Sequence, residues 1–285
     1  GLAWMPREQQ LTDAEVGRLI RIAVEQLGVT QVRFTGGEPM IRRGLTGIIA
    51  AAAALQPRPK LSITTNGIGL DRLAAPLRDA GLNRVNVSLD TLSPERFKQL
   101  THRDRHADVL KGLAGAARAG LTPVKINTVL MRGVNDDEAP ALLRFALDHG
   151  YELRFIEQMP LDAQHQWDRH QMVTAEAILA SLEPYGLVAD SVSRGTAPAE
   201  TWLVPGYVDA AGNPARVGVI GSVISEGIET IVAVNELKPG ALGGLNGLAL
   251  LIASFLLVLA WFGELGLSLV FAAGIILTII VAALA

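Results

Sequence analysis

Short stretches of β-type sequence alternate with helical stretches along the first 157 residues, and this alternation limits the folds open to the chain. The first helix begins with a capping-box pattern at Thr12–Glu15 and ends at Gly28. Alternating strands and helices are typical of parallel βα units in one α/β domain. The five predicted strands cover residues 31–35, 60–65, 83–89, 123–130 and 151–157, and later helices cover 45–55, 70–80, 94–100, 107–119, 138–149 and 174–185.

The predicted strands are apolar on one side and polar on the other. In the second strand, Leu61 and Ile63 alternate with Ser62 and Thr64. Strands buried on both faces are almost continuously apolar, and an ordinary eight-stranded barrel fills its interior with branched apolar side chains. We therefore predict an incomplete, open parallel β/α barrel that encloses a large polar ligand, with the helices outside. The alternative is a sheet with one face exposed to solvent.

Polar groups lie where the predicted strands end, on the side where active sites of α/β barrels form. The first strand stops in a glycine turn, Gly36–Gly37, which is followed by Glu38 and Pro39. In a barrel, Arg33 and Lys125 would point into one cavity. Together these two cations suit a polyanion such as a nucleoside triphosphate. Taken alone, either cation could instead be a salt-bridged interior residue.

The composition excludes several kinds of site. A net charge of −3 and a pI near 6.0 indicate no nucleic-acid partner held by bulk charge. The 285 residues contain no cysteine, which excludes disulfides, thiolate metal sites and cysteine nucleophiles within this chain. Because the chain opens at Gly1 without a basic and apolar leader, we expect a truncated start and no signal peptide.

Five motifs, in this order and with compatible spacing, resemble the GTP 3′,8-cyclase family of radical S-adenosylmethionine (SAM) enzymes, which begin the synthesis of the molybdenum cofactor. The resemblance runs from about Gly1 to Val223. Gly-Gly-Glu alone occurs in many radical-SAM enzymes, whereas the ordered set is far more specific. The motifs are Thr35-Gly36-Gly37-Glu38-Pro39, Thr64-Thr65-Asn66-Gly67, Asn86-Val87-Ser88-Leu89-Asp90, Lys125-Ile126-Asn127-Thr128-Val129 and Phe155-Ile156-Glu157-Gln158-Met159.

The resemblance implies a barrel that binds a [4Fe-4S] cluster, SAM and GTP. In this family a 5′-deoxyadenosyl radical derived from SAM takes the 3′ hydrogen of GTP, and the resulting carbon radical attacks C8 of guanine. It further implies a reductant for the cluster, the next enzyme of molybdenum cofactor synthesis as a partner, and a cytoplasmic location. No catalytic residue is assigned. Carried over motif by motif, the SAM-binding residues are Gly37, Glu38, Ser88 and Met159, and the GTP-binding residues are Arg33, Thr64 and Lys125.

The chain departs from the family pattern at both ends of the resemblance. The family places a Cys-x3-Cys-x2-Cys motif after the first barrel strand, and Gly1–Pro6 resembles the segment that follows it. We therefore expect the first strand to be missing, which leaves the edge of the strand containing Arg33 unpaired. A second cysteine trio and an arginine-rich motif are expected after Val223 and are absent. Because iron–sulfur clusters need thiolate ligands, we expect this chain to lack the radical activity.

The sequence from Ile224 onward is of a different kind. Residues 247–262 and 265–285 are almost entirely apolar, and the second run is long enough to cross a bilayer. We predict three parts: a partial barrel over 1–190, an irregular extension over 191–223 that covers one mouth of the barrel, and an unrelated segment over 224–285. That segment ends in a transmembrane helical hairpin, or alternatively in a buried hairpin.

Three interpretations of the whole chain remain open at this point. The first is a cyclase cut upstream and joined downstream to an unrelated gene end. The second is a membrane-anchored protein that binds GTP or SAM without radical chemistry. The third is a different α/β-barrel enzyme that acts on a phosphorylated substrate without an iron–sulfur cluster.

Overall fold

The structure is a computed structural model that describes residues 10–158, 171–190 and 200–221, together with the backbone of Ile276 and Leu277. The chain divides into two units, one of Gly1–Ser222 with Ile275–Ala285 and one of Val223–Gly274. All of the described residues belong to the first unit.

The helices form where apolar residues recur at helical spacing. At the start of the first helix, the Thr12 hydroxyl accepts the Glu15 amide, and the Glu15 carboxylate accepts the Thr12 amide, which completes the predicted capping box. The helices are α1 (Asp13–Glu25), α2 (Leu45–Ala53), α3 (Leu70–Asp79), α4 (Pro94–Thr101), α5 (His106–Arg118), α6 (Ala139–Asp148) and α7 (Ala175–Ser181). Of these, α1, α4 and α7 begin at a side-chain cap.

All five predicted strands are present and pair in parallel with their sequence neighbours, which confirms the parallel βα arrangement. They belong to one open sheet with the strand order β6-β7-β8-β5-β4-β3-β2-β1-β9. The strands are β1 (Gln31–Phe34), β2 (Lys60–Thr65), β3 (Arg84–Ser88), β4 (Val124–Val129), β5 (Glu152–Ile156), β6 (Val188–Ala189), β7 (Glu200–Val208), β8 (Pro214–Ile220) and β9 (Ile276–Leu277).

The apolar face of the sheet forms the core with the helices. Residues that pair laterally in a parallel sheet point to the same side, so Ile63 and Val85 share this face. Both are fully buried, and the cluster they belong to includes Ile49 of α2 and Leu113 of α5. The helices therefore cover one face, and the polar side chains of β1–β5 are left on the other.

Within the predicted extension, residues 200–208 and 214–220 form an antiparallel pair that joins the sheet through β8 and β5. The prediction for the edge of β1 needs correction. The edge of β1 is not wholly unpaired, because Gln31 pairs with Ile276 and Val32 with Leu277. These additions lengthen the sheet at both ends.

The predicted membrane hairpin lies almost entirely outside the described residues. Its first run, 247–262, is outside them, and within the second run, 265–285, only the backbone of Ile276 and Leu277 is described, as a strand. Among the helices that the structure describes, none combines the length and apolar character needed to cross a bilayer.

Candidate functional site

The polar face of the sheet is built by strand alternation. In β3, Val85 and Val87 point into the core, so Arg84, Asn86 and Ser88 point to the opposite side. The register carries this face across neighbouring strands, because Asn86 pairs laterally with both Thr64 and Lys125. The side chains of the polar face are Arg33, Ser62, Thr64, Arg84, Asn86, Ser88, Lys125, Asn127, Glu152 and Arg154.

An ion-paired trio lies at the centre of the polar face. Lys125 and Glu152 are lateral partners on β4 and β5, and the Lys125 ammonium donates to the Glu152 carboxylate. The Arg154 guanidinium donates to the same carboxylate oxygen at 2.9 Å. Burial lowers the pKa of Lys125 to about 8, although Glu152 acts to raise it. Burial acts to raise the pKa of Glu152, but Lys125 and Arg154 together lower it below its ordinary value.

Two further arginines add positive charge beside the trio. Burial lowers the pKa of Arg33 and of Arg84, and the nearby Arg154 lowers both further. The Nε atom of Arg33 is buried and makes no hydrogen bond within the described part of the chain. The Oδ1 atom of Asn86 is also buried without a partner there, while its amide donates to the Thr64 hydroxyl at 3.2 Å. Buried polar groups of this kind need a partner from outside the described chain, such as water or a bound ligand.

The glycine turn after β1 holds its carboxylate in a protein clamp. The Glu38 carboxylate accepts the Met40 amide at 3.1 Å, the Thr65 hydroxyl at 2.7 Å and the Asn66 amide at 2.8 Å. Gly36 has a φ of +143°, a conformation that favours glycine. Glu38 therefore fastens the loop after β1 to the end of β2, a role that sequence reasoning did not foresee.

A second network fixes the segment that follows β3. The Asp90 carboxylate accepts the Val129 amide at 2.8 Å, and the Asn135 side chain donates to the carbonyl oxygens of both residues. Burial raises the pKa of Asp90. The Glu138 carboxylate accepts the Thr91 hydroxyl at 2.6 Å. The loops after β3 and β4 are thus bonded to each other at the carboxyl edge of the sheet.

The structure brings most of the predicted site residues together. Arg33, Thr64 and Lys125, predicted for GTP, lie on the polar face, and Ser88, predicted for SAM, lies on it at the carboxyl end of β3. Gly37 and Glu38 lie in the turn after β1. Met159 lies outside the described residues.

The sequence analysis assigned no site role to four side chains of the same face: Arg84, Asn86, Glu152 and Arg154. Each stands directly beside an apolar strand residue, so the period-two pattern places it on the polar side. The pairing of Glu152 with Lys125 depends on the register between strands, which the pattern alone does not supply.

Known proteins with sequences similar to this chain are named GTP 3′,8-cyclase. GTP 3′,8-cyclase of Streptomyces coelicolor is 63% identical over 225 residues, which cover 78% of this chain and 64% of that protein. GTP 3′,8-cyclase of Mycobacterium marinum is 54% identical over 224 residues, covering 78% of this chain and 62% of that protein. The chain therefore spans slightly less than two thirds of the length of these curated relatives.

A solved structure and a family model also match this chain. A crystal structure of a radical SAM methyltransferase from Sphaerobacter thermophilus matches with a TM-score of 0.50 and 17% identity, covering 73% of this chain and 58% of that one. At that identity the match shows the fold alone. The model of the family described as the Radical SAM superfamily matches residues 3–146, half of the chain. The chain belongs to the Radical SAM superfamily.

Proposed function

We propose that this chain carries the substrate-binding part of a GTP 3′,8-cyclase, the enzyme that converts GTP to (8S)-3′,8-cyclo-7,8-dihydroguanosine 5′-triphosphate in molybdenum cofactor biosynthesis. The observation that carries the proposal is the cation-rich polar face, on which Lys125 and Arg154 pair with the Glu152 carboxylate and two more half-buried arginines, Arg33 and Arg84, lie on neighbouring strands. The names of the similar cyclases support the choice of GTP as the polyanion.

The triphosphate of GTP fits the charge and geometry of this face. Arginine presents a planar fork of donors that matches phosphate oxygens, and lysine presents a compact point charge. Arg33 and Lys125 supply one of each, and the Thr64 hydroxyl lies between their strands. The unmet Nε of Arg33 gains an acceptor when a phosphate binds. The proposed role of the chain's own residues is thus to bind and orient the nucleotide.

The carboxyl edge of the sheet is the proposed place of SAM. Gly37 and Ser88 are exposed there, so a backbone amide and a hydroxyl are open to a polar ligand. Three protein donors already hold the Glu38 carboxylate, which retains acceptor capacity for an amino group. The proposed SAM-binding residues are Gly37, Glu38, Ser88 and Met159.

The residues of this chain do not fit an iron–sulfur cluster. The family's radical chemistry uses a [4Fe-4S] cluster to cleave SAM, and such clusters are held by cysteine thiolates. The 285 residues contain no cysteine. Within the described residues no group of histidine, aspartate and glutamate is arranged to hold a metal ion either. The proposed role of these residues is therefore binding, with no reaction step through a cluster.

The proposed partners are a reductant for the cluster and the next enzyme of molybdenum cofactor synthesis. The proposed location is the cytoplasm, on the ground of the family resemblance. Membrane association depends on residues 247–285 forming the predicted hairpin. The proposed division assigns 1–190 to the partial barrel, 191–223 to the rest of the cyclase and 224–285 to an unrelated segment.

Substitution of the two predicted phosphate contacts tests the proposal. We expect Arg33→Ala and Lys125→Ala each to weaken GTP binding by about 1.5–3 kcal/mol, because each removes a charge-assisted hydrogen bond. Isothermal titration calorimetry of the full chain with GTP measures the change. Arg21→Ala removes an exposed arginine of α1 and serves as the matched control for net charge. Unchanged affinity in both test variants would remove the basis for the triphosphate site.

A further inference from the structure

Glu152 occupies an unusual position for a nucleotide-binding face. Its side chain is 20% exposed, and it contacts Lys125, 7% exposed, and Arg154, 16% exposed. One of its carboxylate oxygens accepts hydrogen bonds from both cations. Both of the cations best placed to hold a phosphate at the centre of the face are therefore already bound to a carboxylate of the protein.

The surrounding groups explain why this carboxylate is ionised. Lys125 lies directly across from Glu152 on β4, and Arg154 follows two residues later on the same face of β5. The charge of Arg84 on β3 interacts with the charges of Glu152 and Lys125, and the charge of Arg33 on β1 interacts with that of Arg84. Without Glu152 these four cations would share a partly buried region with no counter-charge from the described residues of the polar face, which is costly.

We propose that Glu152 is a specificity-determining counter-ion, whose carboxylate competes with a bound phosphate group for Lys125 and Arg154. A single phosphate group replaces one anion by another and gains too little to bind. A triphosphate brings more charge and reaches Arg33 and Arg84 as well, so its gain exceeds the loss of the Glu152 contacts. The inference deepens the proposed function, on which it rests for the identity of GTP as the polyanion.

Inorganic tripolyphosphate and inorganic phosphate test this competition without the nucleoside. Glu152→Gln keeps the shape of the side chain and removes its charge. We expect this variant to bind tripolyphosphate about tenfold more tightly than the natural chain, and to bind inorganic phosphate where the natural chain does not. Glu25→Gln, at an exposed position on α1, changes the net charge equally and should leave both affinities unchanged. Titration calorimetry at fixed ionic strength measures each of the three proteins with each of the two ligands.

Equal or weaker tripolyphosphate binding by Glu152→Gln would overturn the inference, since Glu152 would then only hold the two cations in position. Absence of tripolyphosphate binding by both proteins would overturn it too. If the natural chain binds tripolyphosphate but not GTP, the proposed function fails while the competition can still be judged from the two inorganic ligands.

A pair of variants provides a measurement that does not need Glu152→Gln to fold alone. Lys125→Met removes one cation of the trio. Adding Glu152→Gln to this variant removes the carboxylate as well, so that neither member of the buried Lys125–Glu152 pair stays charged and Arg154 is no longer bound to a carboxylate. We expect the double variant to bind tripolyphosphate about tenfold more tightly than Lys125→Met. Equal affinities for these two variants would contradict the competition.

Discussion

Lys125 shows how the position of one residue in the sheet sets its chemistry. It belongs to a strand whose alternate residues, Val124 and Ile126, are buried in the core, so its ammonium lies on the polar face. Burial there lowers its pKa to about 8, while Glu152 limits the fall. With this pKa, Lys125 is mostly charged at pH 7 and mostly neutral at pH 9.

The pH dependence of GTP binding follows from this pKa. A bound phosphate favours the charged form of Lys125, so binding takes up a proton where the free protein has lost it. We expect the affinity for GTP to fall about tenfold between pH 7 and pH 9. Lys125→Arg is the control, because arginine stays charged throughout this range. Any titration of GTP itself affects both proteins equally. An equal fall in both proteins would show that Lys125 is not the titrating group.

Glu38 is a second residue whose role depends on its contacts more than on its type. Its carboxylate accepts donors from Thr65 and Asn66 of the next strand end. In Glu38→Gln, one carboxylate oxygen becomes an amide that cannot accept, so a donor of the clamp is left without a partner. We expect the free energy of unfolding to fall by about 1–3 kcal/mol, measured by urea denaturation. Hydrogen exchange at the Asn66 amide should rise, and unchanged exchange would argue against the clamp.

At the scale of elements, two glycines allow helix α5 to pack close to neighbouring backbone. Gly112 of α5 faces the turn after β2, and a Cβ built on it would lie 2.2 Å from the carbonyl oxygen of Gly67. The same helix approaches α3 through Gly115, whose Cβ would lie 2.6 Å from the Cα of Asp71. Because the neighbours at both points are backbone atoms, α5 keeps this distance only without side chains there.

Gly112→Ala tests this close packing. We expect the free energy of unfolding to fall by about 1–3 kcal/mol, because α5 must shift away from the loop after β2. Gly17→Ala is the matched control: Gly17 lies within α1, and a Cβ there meets no atom within 4 Å. That change should be neutral or stabilise the chain by up to about 1 kcal/mol through helix propensity. Denaturant unfolding of both variants compares them, and equal effects would contradict the packing argument.

At the scale of the whole molecule, sequence periodicity predicted what repeats locally. The alternation of Leu61 and Ile63 with polar neighbours indicated both the strand and its two faces. The pairing of Gln31 with Ile276 could not be predicted, because contacts between distant segments leave no local pattern. The clamp around Glu38 and the counter-ion role of Glu152 were missed for the same reason: each depends on which residue of the neighbouring strand stands opposite.

A crystal structure of the chain with GTP tests most directly whether the polar face of the sheet binds the triphosphate. The account predicts that the triphosphate lies on this face, with phosphate oxygens about 3 Å from the Arg33 guanidinium and the Lys125 ammonium. A triphosphate bound among the helices on the outer side, or elsewhere on the surface with Lys125 still held by Glu152, would contradict the account.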